Sequence, residues 1–150
     1  MTLSARLSPF FADYSHHHRT VGNQVCHYFG ITMITVSLLG LLSHLVIFTA
    51  GAPDADFRLD GGTLLLILVA TRYIYLDWKL GSAFTAMLLG LYFLGRSLPL
   101  PLAWGAFVLG WIIQFYGHSH YEKNRPAFTK NIEHVLIGPL WIFAKLLKYR

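Results

Sequence analysis

His16, His17, His18 and His27 lie near the start of this chain and His118 and His120 near its other end, both groups at the polar margins of long uncharged runs. Imidazole is the commonest protein ligand for a transition metal. Histidines gathered at the mouth of a lipid-embedded bundle would therefore hold an ion within reach of an acyl chain. Asn23 and His27 are four residues apart, as are His118 and Glu122, so on a helix each pair shares a face about one turn apart. That is metal-ligand spacing. His18 and His27 are nine apart, close to opposite faces of a continuous helix, and can share an ion only if the chain turns between them. Gly22 is the expected break. His118 and His120 have the spacing of an extended segment, so at most one of them joins Glu122 in a helical site.

Other polar residues in apolar surroundings each have a plain structural reading beside the chemical one. Asp77 sits where two apolar runs meet, as a helix cap, an ion-pair partner of Arg72 or Lys79, or a working acid. Gln114 inside another run is interhelical glue or a substrate contact. Tyr14, Tyr116 and Tyr121 orient a ligand or pack at an interface. His44 is expected to be packed and hydrogen-bonded midway through the first span, and His134 to belong to an interfacial helix.

The elements that must position these residues are apolar helices. Hydrophobic residues make up 55% of the 150, charged residues only 13%, and mean hydropathy is +0.49, which indicates one integral membrane domain over residues 1–150. A first span is expected from about Cys26 to Ala50, since no Asp, Glu, Lys or Arg occurs between Arg19 and Asp54. Gly51 to Gly62, with Pro53 and three aspartates, reads as a solvent loop. Short runs from Thr63 to Leu76 and from Leu80 to Leu94 read as a tight hairpin of two spans or as a kinked re-entrant pair. A fourth run goes from Leu102 to about Gly117. After the polar stretch Glu122 to Lys130, the apolar run Val135 to Leu147 contains Pro139 and ends in basic residues, which suits a helix lying along the headgroups. The expected fold is thus all-α, about four transmembrane helices plus an interfacial C-terminal helix.

With four spans, ten of the 12 Lys and Arg fall on one face, leaving Arg58 and Arg96 opposite. The positive-inside rule puts both termini in the cytoplasm, of a bacterial inner membrane or the endoplasmic reticulum. His16 to His18, His27, Asp77, His118, His120 and Glu122 end on that same face, although the charge count never used them. A net charge of +5 suits anionic membrane lipids. Nucleic acid is not an expected partner, because no basic stripe interleaved with aromatics occurs on a polar segment. Cys26 is the single cysteine, which excludes an intrachain disulfide and a thiolate zinc site. The first eighteen residues lack the pattern of a cleaved signal, so the first apolar helix is expected to stay in the protein.

Two blocks carry a resemblance. Tyr14-Ser-His-His-His18-Arg-Thr-Val-Gly-Asn23-Gln-Val-Cys-His27 resembles the Tyr-x3-His-x4-Asn-x3-His signature of the small membrane family of Fe(II)-dependent 2-hydroxy fatty acid dioxygenases. Gln114-Phe-Tyr-Gly117-His118-Ser-His-Tyr-Glu122-Lys-Asn-Arg-Pro126-Ala127 resembles its second signature, Gln-Phe-x-Gly-His-x3-Glu-x3-Pro-Ala. Leu76-Asp77 is similar to a mid-chain Leu-Asp pair. Either block alone is weak; together and in order they are specific. The chain departs from the pattern at Thr20, Gly22 and Thr32, which touches turns and leaves the matched His, Asn and Glu in place. His16, His17, His120 and His134 match no position of the pattern.

The resemblance implies α-oxidation: a 2-hydroxy fatty acid and O2 give a fatty acid one carbon shorter, as in breakdown of hydroxylated sphingolipid products. It implies Fe2+ held by His18, His27 and His118, with Glu122 as a fourth ligand or as a base orienting an imidazole. Asn23, Glu122 and Asp77 are then the candidate catalytic residues, and Arg19, Gln114 and Lys123 the candidate substrate contacts. Histidine with one carboxylate leaves open positions on Fe(II). Rival readings are a di-iron hydroxylase or desaturase, which needs more histidine boxes than this chain offers; a bis-histidine haem protein; and a non-enzymatic membrane scaffold or transporter.

Overall fold

Two buried aspartates set the boundaries of the helical hairpin at the middle of the chain. The Asp60 carboxylate accepts from the Thr63 amide at 2.9 Å and starts α3 (Gly61–Leu76). Asp77, in extended backbone, ends α3 and accepts from the Leu80 amide at 3.1 Å to start α4 (Trp78–Arg96). A side-chain cap of this kind contributes about 1 kcal/mol. The linker is one residue long, so the two short apolar runs pack side by side as a hairpin. The computed structural model describes residues 2–51, 57–123 and 133–149. In them the remaining elements are α1 (Ser8–His16), α2 (Val21–Ser43), strands β1 (Val46–Ala50) and β2 (Phe57–Asp60), α5 (Leu100–Tyr116), a π-helical turn (Gly117–Glu122) and α6 (Glu133–Leu146).

α2 and α5 share the most extensive helix contact and run antiparallel, since Gly110 lies against Gly30 and Ile34 while Gly117 lies against Asn23 and Cys26. α4 meets the far end of α2 at Gly40 and Gly95. A Cβ on Gly40 would stand 2.4 Å from the Gly95 carbonyl oxygen, closer than any real contact. Small residues let apolar helices approach this closely, where dispersion and backbone contact replace a hydrophobic driving force. Gly40→Ala is therefore expected to cost about 1–3 kcal/mol and to lower the midpoint of thermal unfolding in detergent. An unchanged midpoint would show that the approach carries no weight.

The first span differs from its expected limits. α2 begins at Val21, five residues before Cys26, and ends at Ser43, because Val46-Ile47-Phe48-Thr49-Ala50 is rich in β-formers and pairs antiparallel with Phe57–Asp60. His44 consequently lies at the C-terminus of α2 and is exposed; it is not packed inside a span. Of the expected loop Gly51 to Gly62, residues 52–56 lie outside the described residues, Gly51 is a bend, and the rest is strand and the start of α3. By length and composition two helical stretches among the described residues can cross a membrane, Val21–Ser43 and Leu100–Glu122, in place of the four expected. α3, at 16 residues, is short for about 30 Å of hydrocarbon.

α6 packs into the bundle: Ile137, Leu140, Trp141, Ile142 and Ala144 are buried in the core with Leu7, Phe11 and Tyr14 of the N-terminal segment. Pro139 has no amide to offer the Val135 carbonyl four residues back. Tyr73 ties the same turn to α3 through a 2.6 Å hydrogen bond to the Leu136 carbonyl, and Arg72 pairs with Glu133 at 2.7 Å. Of the polar stretch Glu122 to Lys130, residues 124–130 lie outside the described residues.

Candidate metal centre

His18, His27 and His118 converge from three elements at one end of the bundle. His27 projects from the second turn of α2. His18 stands in the short non-helical link between α1 and α2, and His118 in the π-helical turn after α5. The break that folds His18 back onto His27 falls at residues 17–20, ahead of the expected Gly22. Gly22 is already helical and lies under the Tyr121 ring, which would stand 2.4 Å from an added Cβ. All three imidazoles are at most 3% exposed, their ring centroids are 4.4 to 4.9 Å apart, and one ligand nitrogen from each lies within 4.8 Å of the others.

Hydrogen bonding fixes what two of these rings present to one another. His18 Nδ1 is 2.7 Å from the Tyr14 carbonyl oxygen and His27 Nδ1 is 2.9 Å from that of Asn23. A carbonyl only accepts, so each Nδ1 carries the hydrogen and each neutral ring has its lone pair on Nε2. Those two nitrogens are 3.0 Å apart. Two lone pairs facing at that distance repel unless a cation sits between them. Donors so spaced could both reach one ion with bonds of roughly 2.1 Å. His118 contributes a buried Nδ1 with no hydrogen-bond partner among the described residues. The donor set therefore fits a transition metal. Burial, with the neighbouring His118 acting in the same direction, pushes the His18 pKa down to about 4, so this ring is neutral at pH 7, the form that ligates.

The surrounding shell explains the spacing of the first block. The Tyr14 ring stacks on His18 at 3.9 Å and 9° while its carbonyl orients the same imidazole. Asn23 is fully buried and orients His27 through its carbonyl. Glu122 takes hydrogen bonds from the Thr20 amide at 2.8 Å and hydroxyl at 3.1 Å. These bonds tie it to the start of α2, and among the described residues the cluster of ligand nitrogens comprises the three imidazoles without it.

A cavity of about 130 Å³ opens from the imidazoles into the bundle. Its apolar wall includes Ile31, Ile34 and Leu38 of α2, Val69 of α3 and Leu88 of α4, and Gln114 and His134 are among its polar residues. Gln114 is 4% exposed, and its Nε2 has no partner among the described residues.

The other expected site residues lie elsewhere. Asp77 is not on the cavity wall; besides capping α4 it accepts from the Ser4 amide at 2.9 Å and from the Tyr149 hydroxyl at 3.3 Å. That places it in the structural role of a cap, with no ion pair to Arg72, which Glu133 takes. Arg19 and Lys123 are exposed; Arg19 donates to the His16 carbonyl and Lys123 closes the π-helical turn with φ 55°. His16 and His120 are exposed, His120 stacked on Tyr116. Sequence reasoning missed the cavity wall and His134. The α2 wall was legible in the spacing His27, Ile31, Ile34, Leu38, all on one helix face; His134 had no local signal.

Comparison with known proteins agrees with this geometry. The family described as 2-hydroxy-palmitic acid dioxygenase Mpo1-like matches residues 4–149. The 2-hydroxy-palmitic acid dioxygenase MPO1 of Saccharomyces cerevisiae is 27% identical over 139 residues, which span 89% of this chain and 75% of the yeast protein. No solved structure matches.

Proposed function

The chain belongs to the 2-hydroxy-palmitic acid dioxygenase Mpo1-like family, and from that premise we propose that it is an iron-dependent membrane dioxygenase of 2-hydroxy fatty acids. The substrate and O2 give the fatty acid one carbon shorter. Carbon dioxide and water as the other products balance the atoms and the four electrons that reduce dioxygen. The observation that carries this reading is the pair of opposed His18 and His27 lone pairs, 3.0 Å apart beside His118, at the head of an apolar cavity. Iron, when bound, supplies the one-electron chemistry that lets dioxygen react with a closed-shell acid.

The chain's own residues supply position and exclusion. His18, His27 and His118 hold the ion, and the Tyr14 and Asn23 carbonyls keep two of the rings turned toward it. Gln114, a cavity-wall residue whose buried Nε2 has no partner among the described residues, donates to the substrate head. The acyl tail lies along Ile31, Ile34 and Leu38, where bulk water is excluded. Arg19 and Lys123 form an exposed positive rim that attracts the carboxylate. α2 and α5 cross the membrane, their site ends and both chain termini on the cytoplasmic side where the basic residues gather.

Glu122 acts as a positioning residue: by holding Thr20 it anchors the link that carries His18 to the turn that carries His118. Glu122→Ala is expected to weaken metal retention about 10- to 100-fold in competition with a chelator. Retention equal to the wild type would remove Glu122 from the site.

Metal analysis of anaerobically purified protein with an assay on 2-hydroxypalmitate tests the whole reading. Expected are one iron per chain and pentadecanoate formed with O2 uptake. A second iron per chain points to the di-iron reading, and no bound metal with no turnover to a scaffold.

A further inference from the structure

His134 opens α6, is 7% exposed, and lines the same cavity as the three imidazoles. Its Nε2 lies 2.7 Å from Asp13 Oδ2. A carboxylate only accepts, so Nε2 carries the hydrogen and the neutral ring has its lone pair on Nδ1. That Nδ1 is buried and has no hydrogen-bond partner among the described residues. A buried acceptor left unpaired is costly and calls for a partner. The Tyr14 ring is the spacer between His134 and the metal cluster, stacked on His18 at 3.9 Å and 5.7 Å from His134. A ring with a buried lone pair thus stands on the cavity wall, one ring away from the three clustered imidazoles, where the head of an acid with its tail between the helices would lie.

We propose that His134 recognises the substrate's 2-hydroxyl, accepting a hydrogen bond from it at Nδ1, and that Asp13 is the positioning residue that fixes the ring's tautomer. The inference rests on the dioxygenase reading above and adds the means by which the site tells a 2-hydroxy acid from the unhydroxylated acid of equal length. Both acids fill the apolar wall and offer the same carboxylate. Only the hydroxylated one can donate to Nδ1, and a site built around a hydrogen bond penalises the analogue that lacks it.

Binding measured without oxygen separates recognition from turnover, with tryptophan fluorescence as the readout because Trp111 lies on the cavity wall. The wild type is expected to bind 2-hydroxypalmitate at least about 10-fold more tightly than palmitate. His134→Phe should erase most of that ratio, leaving palmitate affinity and metal content unchanged. Asp13→Asn is the second variant, at an exposed position that folding tolerates, and should reduce the ratio in the same direction. Equal loss for both acids would mean that His134 holds the carboxylate or only packs, and an unchanged ratio would mean that it does not touch the hydroxyl; each overturns the proposal. So does a second metal equivalent lost with Asp13→Asn, because Asp13, His17 and His134 also lie within ligating distance of one another. A wild type that turns over 2-hydroxypalmitate yet binds both acids equally defeats this inference alone. A wild type without turnover or metal defeats the dioxygenase reading beneath it.

Discussion

His27→Ala is expected to leave the protein folded, to strip it of iron and to lower turnover of 2-hydroxypalmitate by more than about 100-fold. Loss of a group that merely supports a ligand costs roughly 10- to 100-fold in metal affinity or activity, and His27 is argued to be a ligand itself. Its Nδ1 is fixed by the Asn23 carbonyl and its Nε2 faces that of His18 at 3.0 Å, so no neighbouring group can take its place without moving α2. Alanine is the strongest helix former, and removing one of two opposed lone pairs relieves repulsion in the metal-free protein. Metal and activity should therefore disappear without a matching loss of thermal stability. His118→Ala should behave alike. His16→Ala and His120→Ala should leave both readouts unchanged, since these imidazoles are exposed and outside the cluster. Iron content by elemental analysis and product by mass spectrometry check the series together. Retention of metal and turnover in His27→Ala would reject the ligand assignment.

That contrast shows which parts of the site could be read in advance. Asn23 and His27, like His118 and Glu122, announce themselves by a spacing that one helix turn converts into a shared face. The convergence of His18, His27 and His118 at one end follows from an even number of antiparallel apolar spans, two as well as four. Chain breaks were less legible. The run to Ala50 contains no charge that would end a span, yet Val46, Phe48 and Thr49 find partners in β2 and the helix stops at Ser43. Val46, Ile47, Phe48 and Thr49 are the local sign of that strand, and pairing with β2 is what fixes it. Asp77 looked like a candidate for chemistry because an acid at an apolar junction needs a partner. It has three, the Leu80 amide, the Ser4 amide and the Tyr149 hydroxyl, two of them from the chain's far ends. α6 looked peripheral because it is short and basic-tailed, but its apolar side meets α1 and closes the cavity, a contact between residues more than a hundred positions apart.

Leu38→Trp is expected to shift the chain-length preference of the enzyme. His27, Ile31, Ile34 and Leu38 fall on one face of α2, and eleven residues of helix carry that face about 16 Å away from the metal cluster. The wall is apolar along this whole length, so the free energy of holding the tail accumulates with each buried methylene, at about 0.8 kcal/mol apiece. A long tail reaches the Leu38 level and a short one stops before it. Leu38 is only partly buried, which gives an indole room to settle without breaking the core, and its bulk should fill the distal end of the cavity. Turnover of 2-hydroxypalmitate, as kcat/KM, should then fall by roughly 10-fold or more, the equivalent of two displaced methylenes. Turnover of 2-hydroxyoctanoate should be preserved, and iron content should match the wild type. The comparison of two chain lengths carries the test, because a general defect in folding or metal loading would depress both substrates together. If both acids lose activity in proportion, or if neither changes, the tail does not follow α2 and the cavity between the helices serves some purpose other than holding it.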